Sequence, residues 1–181
     1  MTRAMSRGEN ARDDEDVSRL LAAAAKTIAH VRYCWLATGA ARARPMGHLI
    51  SDPDGWNIRF VTDGRSRKAA DIRSAGRVGL IFQHDPDEAY VALTGAATLI
   101  EAPQDVNRLW KHAYDVYFPT ETDRANAAFI QVAVERMELW VRGVTPEPFG
   151  LQTTELVRDA GGAWHLSDRN SRSGKSNAYS G

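Results

Sequence analysis

The stretch that decides the fold is FVTDGRSRKAADI, residues 60–72. Its first residues are apolar or β-branched, as in a strand, and the Asp-Gly pair after them is typical of a tight turn. Ser66 belongs to the residue types that cap helices, and a glycine at position 76 suits the residue just past a helix end. The pattern predicts a strand, a turn and a short helix from Ser66 to about residue 74.

The first turn of this predicted helix combines hydrogen-bond donors with positive charge. A cap at Ser66 leaves the first backbone N–H groups pointing outward, and the helix dipole favours an anion there. Arg67 and Lys68 add two cations and Arg65 can add a third; arginine grips a phosphate with paired hydrogen bonds, whereas lysine supplies a compact charge. These residues alone leave two interpretations open: a bound phosphate monoester, or a solvated basic turn that keeps the protein soluble.

Runs with strand character lie on both sides of this segment and are separated by short turns. They cover residues 32–38, 44–51, 56–62, 77–84, 89–102 and 129–142, followed by a terminal hairpin within 154–167. Helical patterns precede them at about 16–31 and begin again at Pro103. Because strict alternation of strand and helix is absent, we predict a mainly β, α+β fold. Its core is a six- to seven-stranded antiparallel barrel with flanking helices. Gly95 marks a bulge or a sharp bend.

Length and composition limit the classes of function. The 181 residues suit one domain, which we place at 14–167, between a disordered segment at 1–13 and a flexible tail at 168–181. Lys plus Arg and Asp plus Glu are equal at 23 each, so no bulk charge favours nucleic acid or an anionic membrane. No apolar stretch approaches the ~20 residues of a membrane span, and no secretory signal is recognisable, so we expect a cytoplasmic protein.

Other chemistry-bearing residues give weaker indications. Cys34 is the single cysteine and lies in the apolar run YCWLAT, which predicts a buried, inert thiol and excludes a multi-cysteine metal site. The five histidines lack metal-binding spacing, so we expect no metal. Nucleophile-elbow, dinucleotide and P-loop fingerprints are absent, and no residue is assigned as catalytic.

From about residue 15 to 142 the chain resembles the pyridoxamine 5′-phosphate oxidase-like family of FMN-binding split barrels, in particular its general stress protein branch. The matching motifs occur in order. They are RPMGHL (44–49), FVT (60–62), SRKAADI (66–72), RVGLIF (77–82) and the strand around 90–95. The resemblance implies a split-barrel fold and FMN as the cofactor.

The resemblance also implies which residues bind the flavin. The first motif supplies backbone groups and an arginine, the second lies along the ring, and the Arg-Lys pair holds the phosphate. Carried over, the residues are Arg44, Pro45, Met46, Gly47, His48, Leu49, Val61, Thr62, Ser66, Arg67 and Lys68. His48 is a candidate for a hydrogen bond to ring or substrate, or a structural histidine. The family forms homodimers with two flavins at the interface, so Tyr90 and Trp140 are either flavin contacts or ordinary aromatic core or interface residues.

One departure from the family concerns the substrate. Pyridoxamine phosphate oxidase itself holds its substrate with an Arg-x-His constellation, which residues 143–167 do not match. The resemblance therefore implies an FMN-dependent oxidoreductase that uses a small-molecule donor or substrate but lacks the vitamin B6 motif. The alternative is a non-catalytic general stress protein that buffers or senses flavin. A third possibility is a related cofactor, such as a deazaflavin or haem.

Overall fold

A computed structural model of the chain describes residues 7–39, 42–52 and 56–167. The elements in chain order are α1 (Arg7–His30), β1 (Tyr33–Thr38), β2 (Arg42–Gly47), β3 (Leu49–Asp52), β4 (Asn57–Asp63), α2 (Arg67–Ala75), β5 (Arg77–His84), β6 (Ala89–Ile100), α3 (Pro103–Leu109), α4 (Glu121–Ala125), β7 (Ala127–Val141), β8 (Thr154–Arg158) and β9 (Trp164–Leu166). Single 3-10 turns lie at Asp85–Asp87 and His112–Tyr114.

The strands form one sheet in the order β2-β1-β5-β6-β7-β4-β3, with β8 paired to β7 and β9 to β8. The neighbours β1–β2, β1–β5, β3–β4, β4–β7, β7–β8 and β8–β9 are antiparallel. The mainly β, α+β fold and the terminal hairpin are therefore confirmed. The predicted single strand at 44–51 is divided at His48, and its halves β2 and β3 form the two ends of the strand order, so the sheet is not closed by hydrogen bonds between described residues.

The described chain divides into two compact units. The α1 unit comprises residues 7–31, 82–93 and 135–167, and the α2 unit comprises the described residues of 32–81 and 94–134. Strands β5, β6 and β7 each contribute residues to both units.

In the α1 unit, helix α1 buries one apolar stripe. Leu20, Ala24 and Ile28 follow at helical spacing and are almost fully buried, and α1 packs on β9. The helix begins at Arg7, well before the start near residue 16 that the pattern indicated. Residues 7–16 include the good helix formers Arg, Glu and Ala, and their acidic residues suit the N-terminal part of a helix, but they carry no apolar periodicity that a pattern could detect. The tail expected at 168–181 lies outside the described residues.

In the α2 unit, strand β4 is covered on both faces. Ile58, Phe60 and Thr62 alternate along one buried face. The other face carries Val61, which packs on a second apolar cluster formed beneath α3 and the following turn. The members of that cluster are Val106, Tyr114, Ala127 and Phe129. The two faces thus fix the direction of each β4 side chain close to the start of α2.

Gly95 lies inside the continuous strand β6, where a bulge or bend was predicted. A Cβ atom at this position would lie 2.0 Å from the carbonyl oxygen of Ala133. The glycine is therefore required because two backbones approach closely. Gly76 has a left-handed φ of 63° and ends α2, as predicted.

Candidate functional site

Helix α2 begins as the sequence predicts. Ser66 has extended dihedral angles, φ −67° and ψ 153°, and its hydroxyl accepts a hydrogen bond from the Ala69 N–H at 3.4 Å. The Thr62 hydroxyl lies 3.4 Å from that of Ser66, which places the end of β4 beside the cap. The N–H groups of Arg67 and Lys68 belong to the first turn, which has no carbonyl partner within the helix, so this end of α2 favours an anion.

The start of α2 forms one side of a recess of about 540 Å³. Strand β2 forms the other side, because both β2 and α2 lie against β1. We call this cavity the basic recess, and its lining residues are Arg42, Ala43, Arg44, Ser66, Arg67 and Lys68. The recess thus joins two segments that the family resemblance names, the Arg44 strand and the Ser-Arg-Lys helix start.

The two arginines of β2 are held by one carboxylate. Arg42 and Arg44 lie two residues apart, on the same face of the strand. Asp71 is 3.4 Å from Arg42 Nη1 and 4.0 Å from Arg44 Nη2. The Thr38 hydroxyl donates to Asp71 at 2.8 Å and accepts from Arg44 at 3.1 Å. These bonds fix the β2 arginines before any ligand arrives.

Arg67 and Lys68 differ from the β2 pair, because neither forms a salt bridge within the described residues. Arg67 is exposed and Lys68 is half-buried. Burial lowers the pKa of Lys68, and the positive charge of Arg44 lowers it further, against a smaller opposite effect of Asp63. Because Arg67 and Lys68 form no salt bridge within the described residues and Arg44 is close enough to act on Lys68, this set of donors fits a phosphate group.

Arg65 does not add the third charge that the sequence suggested. Its guanidinium forms a salt bridge with Asp63 at 2.6 Å, and its backbone N–H donates to the same carboxylate at 2.7 Å. These bonds lower the pKa of Asp63. Asp63 therefore takes Arg65 into a local turn of the type that Asp commonly forms, and Arg65 does not line the recess.

The predicted run 44–49 does not present all its side chains to one side. Pro45 lies opposite Trp35 and Gly47 opposite Tyr33 in the β1–β2 register, on the face away from Arg44. The other members are Met46, half-buried on the Arg44 face, His48, half-buried at the division between β2 and β3, and Leu49, whose backbone pairs with Arg59. Among the side chains of this run that the structure describes, Arg44 is the one that lines the recess.

Val61 and Thr62 point in opposite directions. Thr62 is buried, and its hydroxyl approaches Ser66, whereas the Val61 side chain packs on the apolar cluster that contains Phe129. The Ser66 side of β4 therefore carries the buried Thr62 hydroxyl, whereas the Val61 side chain lies on the opposite face.

Tyr90 and Trp140 belong to the α1 unit. The Tyr90 hydroxyl donates to Asp85 at 3.3 Å and its ring lies 6.3 Å from that of Phe149, centre to centre. The pKa of Tyr90 is raised, mainly because the phenol loses solvent and also because of the negative charge of Asp85. Trp140 is half-buried in β7. Their contact with a flavin stays a prediction.

Four residues of the basic recess and its support were not predicted: Ala43, which has no charged or polar side chain, and Arg42, Asp71 and Thr38. Arg42 has a sequence signal, since it lies two residues before Arg44 and so shares its face of a strand. Asp71 lies four residues after Arg67 on α2, which is a weak helical signal. Thr38 gives no local signal, because its role depends on how β1 lies against α2.

A larger cavity, of about 660 Å³, lies within the α1 unit. Its charged lining residues are Asp16, Arg19, Glu138 and Glu155. Arg19 is bound by Asp16 at 3.0 Å, and the buried Glu155 forms a salt bridge with Arg136. Carboxylates are in excess there, so the cavity does not suit a phosphate. In the parts of the chain that the structure describes, no group of three or more His, Cys, Asp or Glu side chains is arranged to hold a metal ion. None of the described helices is long and apolar enough to cross a bilayer.

Comparisons with known proteins give one matching family model and several solved structures of similar fold. The family model described as pyridoxamine 5′-phosphate oxidase like matches residues 21–156. A pyridoxamine 5′-phosphate oxidase-related, FMN binding protein from Nostoc punctiforme is 18% identical, covers 92% of this chain and 98% of its own, and has a TM-score of 0.60. The general stress FMN/FAD binding protein from Xanthomonas citri is 20% identical and has a TM-score of 0.57. The match covers 76% of this chain and 96% of that protein.

General Stress Protein 26 from Bacillus anthracis is also similar, with 20% identity and a TM-score of 0.55. The match covers 67% of this chain and 93% of that protein. No curated protein sequence matches the chain. At these identities the solved structures establish a shared fold, which confirms the expected split-barrel class. The family model covers well over half of the residues, and the chain therefore belongs to the pyridoxamine 5′-phosphate oxidase-like family.

Proposed function

We propose that the chain binds FMN, with the phosphate in the basic recess, and acts as a flavin-dependent oxidoreductase. The observation that carries this proposal is the pair Arg67 and Lys68, which stand beside the first turn of α2 without a salt-bridge partner among the described residues. A phosphate monoester carries about −1.5 to −2 charges at neutral pH, which two cations and a helix start can balance. Relatives described as FMN binding and FMN/FAD binding support the choice of a flavin.

Four residues of the recess have a part in this proposal. The Ser66 hydroxyl and the first amides of α2 donate to the phosphate, Arg67 contributes paired hydrogen bonds, and Lys68 contributes a compact charge. Arg44 borders the same space. The flavin, when bound, supplies the redox chemistry, and the chain supplies position, charge and exclusion of water. No side chain is assigned as a general acid or base.

An absorbance titration tests this proposal. The purified protein is freed of bound small molecules and titrated with FMN, and binding is read from the change in the visible flavin spectrum. We expect saturable binding in the micromolar range or tighter. A protein that is folded by circular dichroism and leaves the FMN spectrum unchanged would contradict the proposal.

A second candidate function is flavin binding without turnover, as a buffer or sensor. It is favoured by similar structures that are named general stress proteins. Anaerobic addition of NADH or NADPH to the flavin-loaded protein separates the two candidates. Bleaching of the flavin followed by reoxidation in air, over many cycles, supports the oxidoreductase. Bound flavin that no nicotinamide donor reduces supports the binding protein.

We also propose that the chain forms a homodimer through an exposed face of the sheet. Trp35 lies opposite Ile81 in the β1–β5 register, and both side chains, with that of Tyr33, are nearly half exposed. Neighbouring exposed apolar residues on one face are typical of an interface. Light scattering should show a dimer that Trp35→Glu dissociates, whereas Val116→Glu, at an exposed apolar residue outside the sheet, should not. A monomeric wild-type protein would contradict this proposal.

A further inference from the structure

Asp71 contacts the two arginines that line the β2 side of the basic recess. One of its carboxylate oxygens lies 3.4 Å from Arg42, and the other accepts from Thr38 at 2.8 Å and lies 4.0 Å from Arg44. Its side chain is only 19% exposed, so water screens it weakly. The arginines of β2 thus already have an anion, and it is part of the chain.

The charge of the recess is consequently uneven. At its α2 side, Arg67 and Lys68 are the first two residues of the helix, and neither forms a salt bridge with a described carboxylate. At its β2 side, the charge of Asp71 offsets that of Arg42 and Arg44. A dianionic group gains most at the α2 side. A second anionic group placed towards β2 meets arginines that are already bonded and a carboxylate that repels it.

From this distribution we propose that Asp71 is a specificity-determining residue that reserves the basic recess for one phosphate monoester. A ligand with a second phosphoryl group is disfavoured, because that group must compete with the Asp71 carboxylate for Arg42 and Arg44. This inference rests on the proposed flavin function and deepens it: the chain selects FMN over FAD.

Parallel titrations with FMN and FAD test the proposal in wild type, Asp71→Asn and Glu101→Gln. Glu101→Gln is the matched control, because it removes the same charge from a carboxylate that is salt-bridged to Arg73 rather than to Arg42 or Arg44. In wild type FMN binds at least about tenfold more tightly than FAD. Asp71→Asn tightens FAD by about fivefold, the size expected for removing one partly screened repulsion. The affinity for FMN changes less, because the Asp71 carboxylate is bonded to Thr38 and the β2 arginines and not to the side chains of Ser66, Arg67 and Lys68.

Two further variants keep the test decisive. Adding Arg42→Ala to Asp71→Asn cancels the gain for FAD, because the arginine released by the first change is then missing. If Asp71→Asn does not fold, Asp71→Ser keeps a partner for the Thr38 hydroxyl and makes the same prediction. Equal affinities of wild type for FMN and FAD, or an unchanged FMN-to-FAD ratio in the folded Asp71 variants, would overturn the proposal.

Failure of this inference is distinguishable from failure of the proposed function. If wild type binds neither flavin, the flavin function is wrong, and calorimetry with inorganic phosphate and pyrophosphate then tests Asp71 alone. Asp71→Asn should increase the affinity for pyrophosphate more than the affinity for phosphate. An equal effect on the two anions contradicts the role of Asp71, whichever ligand the protein uses.

Discussion

The basic recess of the α2 unit and the larger cavity of the α1 unit are similar in size, at about 540 and 660 Å³, but they balance charge differently. In the α1 cavity, Arg19 is bound to Asp16 and to the Val144 carbonyl at 2.8 Å, while Glu155 is bound to Arg136. In the basic recess, neither Arg67 nor Lys68 forms a salt bridge with any residue in the described part of the chain. The arginines at the α1 cavity are thus bonded to carboxylates of the fold, whereas two cations of the basic recess form no salt bridge with a described residue.

This difference shows that volume alone does not identify the functional site. The larger cavity would place an anion near Glu138, which lies directly opposite Glu155 in the β7–β8 register. The smaller recess offers cations, a capped helix start and a hydroxyl on the same side. Charge that the fold leaves unbalanced is therefore the better guide to the ligand.

The largest expected effect comes from removing both unpaired cations. We expect Arg67→Ala with Lys68→Ala to weaken FMN binding about 100-fold, since two charge-assisted hydrogen bonds are lost. Arg19→Ala, which removes a cation from the α1 cavity, should leave FMN affinity within about twofold. Both affinities are measured by flavin fluorescence titration. Equal losses in the two variants would remove the distinction between the cavities.

The opposite pattern is expected for stability. Arg136→Ala should lower the free energy of unfolding by about 2 kcal/mol, because the buried Glu155 loses its salt bridge. Lys68→Met should leave the flavin-free protein unchanged within about 0.5 kcal/mol, because burial and Arg44 already disfavour the charged lysine. Urea unfolding of the flavin-free variants measures both. A clear loss of stability in Lys68→Met would show that the cation serves the fold.

The pH dependence of binding should report Lys68. Its pKa lies below the usual 10.5 because of burial first and Arg44 second, so the free protein loses this charge earlier than an ordinary lysine. A bound phosphate favours the charged form, and FMN affinity therefore falls as pH rises through the lowered pKa. The fall should reach about tenfold, the size of one lost charge-assisted bond. In Lys68→Arg, which stays charged, titrations from pH 7 to 10 should show a smaller fall; identical profiles would contradict the role of Lys68.

The smallest effect is expected at the boundary of the recess. Arg65→Ala should change FMN affinity by less than about twofold, because Asp63 already binds this guanidinium and its charge is exposed. Arg67→Ala, two positions later, is the comparison in the same titration. A loss in Arg65→Ala as large as that in Arg67→Ala would show that the Asp63 salt bridge opens to the ligand.

Local patterns predicted the parts of the site that depend on neighbouring residues. The cap at Ser66, the end of α2 at Gly76 and the strand before the turn all follow from propensities over a few residues. The sequence left open whether Arg65 adds a third charge, and the structure shows the Asp63 side chain bound to it within the same turn. Such local competition between a side chain and a ligand is not visible in a motif.

Features that depend on pairing between distant segments could not be predicted from the sequence. The division at His48 follows from β2 and β3 joining different neighbours, β1 and β4. The bonds of Asp71 to β1 and β2 depend on strand order and register, which no run of residues encodes alone. The fold class was accessible because alternation and turn residues repeat along the chain. The charge balance of the recess could not be predicted, because it depends on which side chains of distant segments contact one another.

The most direct test of the central claim compares FMN with riboflavin, which has the same ring system but no phosphate. We predict that wild type binds FMN about 100-fold more tightly than riboflavin, and that Arg67→Ala with Lys68→Ala reduces this ratio to near one. The reduction should come from weaker FMN binding, with riboflavin nearly unchanged. Equal affinity of wild type for the two flavins would contradict a phosphate held in the basic recess.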